Sequence, residues 1–114
     1  MTIHLYGIPN CDTVKKARTW LDAHGLDHVF HDYKKEGADA AKLERWIAVA
    51  GLESVLNRRG ITYRKLGDAD RAEIEAGGAV AVMVRQPSLI KRPVVEHPGG
   101  LLVGFSESEW AGAL

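Results

Sequence analysis

The chain opens with a strand, a tight turn and the start of a helix within its first two dozen residues, and that order restricts the folds open to it. Ile3-His4-Leu5-Tyr6 is a short apolar run closed by the turn cluster Gly7-Ile8-Pro9-Asn10. Beyond it Val14, Ala17 and Leu21 recur at helical spacing and predict a helix over 11–24, with Gly25 as its stop signal. His28-Val29-Phe30-His31-Asp32-Tyr33 then reads as a second strand, with poor alternation. A strand, helix and strand at this spacing predict a right-handed βαβ unit with parallel strands.

The same turn carries the chain's only cysteine, Cys11, in Asn10-Cys11-Asp12-Thr13-Val14-Lys15. The first turn of a helix has unpaired N–H groups and the positive end of the helix dipole, and both favour an anion. A thiolate is such an anion, and it is the nucleophilic form of cysteine. A free thiol with a pKa of about 8.5 is only ~3% ionised at pH 7. Lowering that pKa by two units takes ~2.7 kcal/mol of preference for the charged form. A favourable helix terminus supplies up to about 2 kcal/mol, so a further cation or hydrogen bond is required. Lys15, one turn along, is one candidate, and arginines from later in the chain are others; Asp12 opposes them. The alternative is a small, buried, inert cysteine, and position alone leaves the two readings balanced.

Farther along, Lys34 to Ala38 is a polar loop, and Leu43, Trp46, Ile47 and Ala50 predict a helix over 39–50 that ends at Gly51. A short piece over 52–56 precedes Asn57-Arg58-Arg59-Gly60. Another helix is expected from Asp68 or Asp70 to Gly77-Gly78, and a third with Val80, Met83 and Val84 on one face ahead of Pro87. Beyond Pro87 the pattern changes to strand. Val94-Val95-Glu96, the turn His97-Pro98-Gly99-Gly100 and Leu101-Leu102-Val103-Gly104-Phe105 form the clearest hairpin signal. Ser106 and Glu109 have capping-box spacing and open a last helix, with Trp110 and Leu114 able to pack inward. The reading is one α/β domain over 1–114, with a helical block inserted between the βαβ unit and the hairpin.

Other features are weaker. Arg92-Pro93 precedes a strand; a trans proline is acceptable there, and general frequencies favour it over cis. Arg92 reads as a solvated charge or, with Arg59 or Arg58, as part of a fork for an oxyanion or carboxylate beside Cys11. His28 and His31 point to opposite faces of a strand and make a poor chelate, so no metal site is expected. Gly99-Gly100 lies between strands and is a turn, not a phosphate cradle. Lys+Arg and Asp+Glu are 15 each, which gives no global field for nucleic acid or anionic membrane. A single cysteine makes no internal disulfide, and no apolar stretch approaches a membrane span. A soluble, cytoplasmic protein, and a monomer, are expected.

Taken together, Gly7-Ile8-Pro9-Asn10-Cys11-Asp12-Thr13 with Lys15-Lys16-Ala17, Phe30-His31-Asp32-Tyr33, Leu56-Asn57-Arg58-Arg59-Gly60, Ile90-Lys91-Arg92-Pro93 and Gly104-Phe105-Ser106 resemble the ArsC-related (arsenate reductase-like) family. The similarity runs in order along nearly the whole chain and is greatest to the YffB-like branch. It implies a thioredoxin-like fold, βαβ then ββα with the inserted helical block, and a cis proline at Pro93. In the arsenate reductases of this family, a cysteine at the first helix start attacks the oxyanion and arginines stabilise the charge. The resemblance places that cysteine at Cys11 and the arginines at Arg92 and Arg59, with Arg58 the near alternative. Those reductases usually carry a further arginine in an Arg-Pro pair after the hairpin, where this chain has Gly104-Phe105.

The function expected is a glutathione-dependent monothiol reductase. Cys11 is the nucleophile, and Asn10, Thr13, Lys15, Arg58 and Pro93 are candidate substrate-binding residues. No bound cofactor is expected. Glutathione is the expected co-substrate, and a thiol-bearing small molecule or protein, or glutaredoxin, the partner. Two alternatives come from the same resemblance: an arsenate reductase coupled to glutathione and glutaredoxin, and a non-catalytic protein-binding regulator like the Spx proteins. The latter usually carry Cys-x-x-Cys, where this chain has Val14 at the second position.

Overall fold

The structure, a computed structural model, describes residues 2–114. Their contacts group into two compact units, one reaching Glu36 and resuming over Arg92–Leu114, the other Gly37–Lys91.

The first unit begins with strand β1 (Ile3–Gly7), helix α1 (Asp12–Ala23) and strand β2 (His28–Asp32), β1 and β2 pairing in parallel as the βαβ reading requires. Val14, Ala17 and Leu21 are the buried residues of α1, on the predicted stripe. At the C-terminal end of α1, Gly25 adopts φ 65° and the Leu26 N–H donates to the Leu21 carbonyl, which satisfies a helix-end acceptor. The second strand is shorter than its pattern suggests. Tyr33 leaves the sheet and opens a single helical turn, α2 (Tyr33–Glu36), its side chain turned inward and nearly sealed from solvent.

The second unit is the helical block. It comprises α3 (Ala40–Ala50), α4 (Leu52–Val55), α5 (Ile61–Arg64), α6 (Asp68–Glu73) and α7 (Ala79–Arg85). Asp39 caps α3 by accepting from the N–H groups of Ala41 and Lys42. Gly77, at φ 96°, breaks the chain between α6 and α7, as the glycine pair predicted. The helix α5 has no apolar stripe long enough to announce it in the sequence. Two expectations fail in this unit. The inward face of α7 is Ala79, Val82 and Met83, while Val84 is exposed. The strand expected beyond Pro87 begins only at Val94; Pro87–Leu89 is a 3₁₀ turn, and Leu89 and Ile90 are buried beside the Leu56–Ile90 bridge.

The chain returns to the first unit as the hairpin β3 (Val94–His97) and β4 (Gly100–Val103), followed by α8 (Glu107–Ala113). The sheet order is β2-β1-β3-β4, with β3 antiparallel to both β1 and β4. This is the thioredoxin-like arrangement, a mixed sheet built from βαβ followed by ββα. Pairing sends Ile3, Leu5, Val95 and Leu102 to one face, where they meet Val14, Ala17, Leu21 and Trp110 in one core. Ser106 caps α8 by accepting from the Glu109 N–H. Trp110 is fully buried and donates from its indole N–H to the Gly104 carbonyl at 3.1 Å. Among the described residues, no helix is long and apolar enough to cross a membrane.

Candidate active site at the start of the first helix

Three features of the first unit place the cysteine. β1 ends at Gly7, where an added Cβ would lie 2.8 Å from a Val14 methyl, so only glycine lets the strand end approach α1 this closely. Pro9 and Asn10 turn the chain outward, and Cys11 then occupies the N-cap in extended backbone, φ −133°. Its carbonyl accepts the Lys15 N–H at 3.0 Å, the first bond of the helix. The sulfur is partly buried and closes no short capping bond. Two of the helix's unpaired donors, the N–H groups of Thr13 and Val14, still act on it electrostatically.

The charge balance at the sulfur decides its chemistry. Burial pushes the Cys11 thiol up, but the Val14 N–H, a hydrogen bond from the Arg92 side chain, the Thr13 N–H and the Arg92 charge together outweigh it. The net result is a thiol below its ordinary value, which is a more populated thiolate near neutrality. The further cation anticipated for Cys11 is therefore Arg92, 81 residues along the chain and just ahead of β3. Lys15 is exposed on α1 and acts through its backbone at this point. The Arg92–Pro93 peptide is cis, as the resemblance implied and against the general frequency of trans. Pro93 is buried, and its carbonyl accepts the Gly104 N–H at 2.8 Å.

Arg58 and Arg59 belong to the other unit and differ sharply. Arg58 forks onto Glu53 through Nε (2.7 Å) and Nη2 (2.9 Å), and its Nη1 reaches the Tyr63 hydroxyl at 2.8 Å and Glu75 at 3.3 Å. Its guanidinium is committed to this ion-paired cluster. The Arg59 side chain is exposed.

A polar cluster on the second face of the sheet went unread in the sequence. His4 Nδ1 lies 2.8 Å from His31 Nε2, and His31 Nδ1 lies 2.9 Å from Glu36. Tyr6 stacks on His31 with ring centres 4.5 Å apart and donates from its hydroxyl to Glu96 at 2.8 Å. Burial pushes the Tyr33 hydroxyl far up; the Arg92 charge opposes this, and Tyr6 and Glu96 add to it. Arg92 thus acts electrostatically on both Cys11 and this cluster. The alternation of His4 with Tyr6 was a usable signal, since residues two apart share a strand face. Among the described residues, no group of three or more His, Cys, Asp or Glu side chains is arranged to hold a metal.

The profile of the ArsC family matches residues 6–113. Among solved structures, the chain is similar to a YFFB protein at 52% identity and a TM-score of 0.92, covering 98% of both chains. It is similar to an arsenate reductase (ArsC) related protein of Brucella melitensis at 49% identity and a TM-score of 0.76, over 98% of this chain and 93% of that one. A Haemophilus influenzae protein is 39% identical over 97% of each chain. A global transcriptional regulator Spx of Streptococcus pyogenes is 28% identical over 94% of this chain and 81% of its own length. With the thiol at the helix start, the cis proline and near-complete coverage in agreement, the chain belongs to the ArsC family.

Proposed function

We propose that the protein is a glutathione-dependent monothiol reductase with Cys11 as its nucleophile. The observation that supports this most is the Arg92 guanidinium on a thiol already set at the start of α1 and held below its ordinary value. In the first step the Cys11 thiolate attacks a mixed disulfide of glutathione and a substrate thiol. A Cys11–glutathione disulfide forms, the substrate sulfur leaves as a thiolate, and the old S–S bond breaks. The chain has no second cysteine to resolve this bond. A second, reduced glutathione attacks the glutathione sulfur, releasing oxidised glutathione and restoring the Cys11 thiolate. Arg92 stabilises the thiolate before attack and again on release. Asn10 and Thr13, close to Cys11 in the chain, and the backbone beside Pro93 act as binding groups for glutathione.

Mass spectrometry after exposure to oxidised glutathione tests the reading. The expected result is a single glutathione adduct on Cys11 that reduced glutathione removes. Absence of an adduct on the folded chain, under conditions where a free thiol reacts, would overturn it.

A further inference from the structure

A groove of about 810 Å³ runs between α1 and α8, beginning at Lys15, one turn beyond Cys11. Its floor is aromatic: Trp20, Phe105 and Ala111 line it, with His24 stacked on Trp20 at 3.9 Å between ring centres. Trp20 and Phe105 both present themselves edge-on to buried Trp110, with centroids 5.7 and 4.8 Å away, so the floor is rigidly backed. Cys11, Trp20 and Phe105 pack on the same core, which joins the floor to the residue that bears the thiol. The wall formed by α1 carries Lys15 and Lys16, both exposed and, among the described residues, in no ion pair; the α8 wall carries Glu107.

Resting on the reductase reading above, we propose that this groove binds the non-glutathione half of the substrate, an organic thiol with a flat apolar body and a carboxylate. The floor offers aromatic area that glutathione, a polar tripeptide, cannot use, whereas an aryl or similarly flat group gains from stacking and from leaving water. The two lysines lie at the end of the groove nearer the sulfur and attract an anion, while Glu107 opposite repels it, so a carboxylate is held to the α1 side. The volume accommodates a small organic molecule and lies in the ordinary range for ligand sites. Gly104-Phe105 stands where the arsenate reductases of the family usually carry the Arg-Pro pair. Glycine therefore stands where the resemblance implies a charge for an oxyanion, and the Phe105 ring stands in place of the proline.

The test is thiol–disulfide exchange at Cys11 with four symmetrical disulfides: dithiobis(nitrobenzoate), aromatic and anionic; dithiodipyridine, aromatic and neutral; dithiodiglycolate, aliphatic and anionic; and cystamine, aliphatic and cationic. In each case the Cys11 thiolate forms a mixed disulfide and one probe thiolate leaves, which is the step measured. Each rate is divided by the rate of the same disulfide with the urea-unfolded chain, which cancels intrinsic leaving-group differences, and by each variant's own iodoacetamide rate. The aromatic anion is expected to exceed both aliphatic probes by about fivefold or more at low salt, with the advantage shrinking as salt screens the lysines. Ala111→Trp, which fills the groove from α8, and the surface pair Lys15→Gln with Lys16→Gln should each reduce that advantage at least about threefold. Equal normalised rates for all four probes, or an aromatic preference that survives Ala111→Trp, would overturn the groove. Failure of the reductase reading shows separately, as an iodoacetamide pH profile of an ordinary thiol, and the four ratios are read in either case.

Discussion

Replacing Arg92 with methionine keeps most of the side-chain stem and removes both the charge and the hydrogen bond on Cys11. A hydrogen bond to a charged partner contributes about 1.5–3 kcal/mol. Cys11 is only partly buried, so solvent screening puts the loss at the lower end, ~1.5 kcal/mol, or about one pKa unit upward. Below the thiol's midpoint, a one-unit rise cuts the thiolate fraction about tenfold. The remaining thiolate is more basic, and with a Brønsted coefficient of about 0.4–0.5 it attacks roughly threefold faster. Arg92→Met should therefore react with dithiodipyridine roughly threefold more slowly at a pH below both midpoints, yet faster than the wild type at alkaline pH where both thiols are ionised. Stopped-flow rates between pH 5 and pH 11 read the crossing directly. Superimposed profiles would remove Arg92 from the thiol's environment. A variant slower by one constant factor at every pH would mean that Arg92 acts on the incoming disulfide and leaves the sulfur's ionisation alone.

Three further outcomes follow from the same geometry. Gly7→Ala should destabilise the chain by about 1–3 kcal/mol in urea unfolding, because Val14, 2.8 Å from the new methyl, is fully buried and has nowhere to move; it should also slow alkylation of Cys11 by displacing the start of α1. The folded-state Cys11 pKa is lowered, so its ionisation contributes stability that is fully present above the ordinary thiol value and is lost as pH falls through the lowered one. Thermal unfolding of wild type against Cys11→Ser should accordingly show a difference that grows in favour of the wild type as pH rises through this window. Arg58→Ala should lower the urea midpoint, less so at high salt, and leave the normalised Cys11 alkylation rate alone, whereas Arg59→Ala, which removes an exposed side chain, should leave the midpoint alone.

What could be read in advance was whatever a local period or cap encodes. Val14, Ala17 and Leu21 mark the buried stripe of α1 because a one-sided helix repeats every three to four residues, and Asp39, Ser106 and Gly77 mark ends through chemistry confined to one turn. The hairpin was legible for the same reason. Tyr33 was not, since an aromatic after five strand residues extends the pattern equally well whether or not the backbone turns away. On α7, Val82 and Val84 offer the same side chain on opposite faces, and only packing selects Val82. The 3₁₀ turn at Pro87–Leu89 hides behind apolar Leu89 and Ile90, which are buried without being strand. At the site, Cys11 was evident, but the choice between Lys15 and Arg92 as its cation depends on contact across 81 residues of chain. The His4–His31 and Tyr6–Glu96 bonds, at separations of 27 and 90 residues, need the register of the sheet. That Arg58 and not Arg59 is ion-paired to Glu53 and Glu75 turns on where those carboxylates fall, which adjacent identical residues cannot announce.

The Gly104-Phe105 departure bears on chemistry through the backbone. Gly104 sits at φ 80°, donates its N–H to the Pro93 carbonyl and accepts the Trp110 indole N–H, while Phe105 lies edge-on against that indole. A long side chain at 104 would carry the left-handed penalty of roughly 1–2 kcal/mol, so the turn that fastens Pro93 also disfavours an arginine there. Within this unit the charge on the sulfur is then met by one guanidinium, Arg92. Thiol–disulfide exchange asks for little more, because a single negative charge passes along a line of sulfurs and none accumulates. Reduction of a multiply charged oxyanion brings extra negative charge against an existing thiolate, and each added charge at about 4 Å costs several kcal/mol at an effective dielectric of ~20 unless another cation meets it. The exchange reaction proposed above therefore asks less of Arg92 and the helix-start N–H groups than oxyanion reduction would.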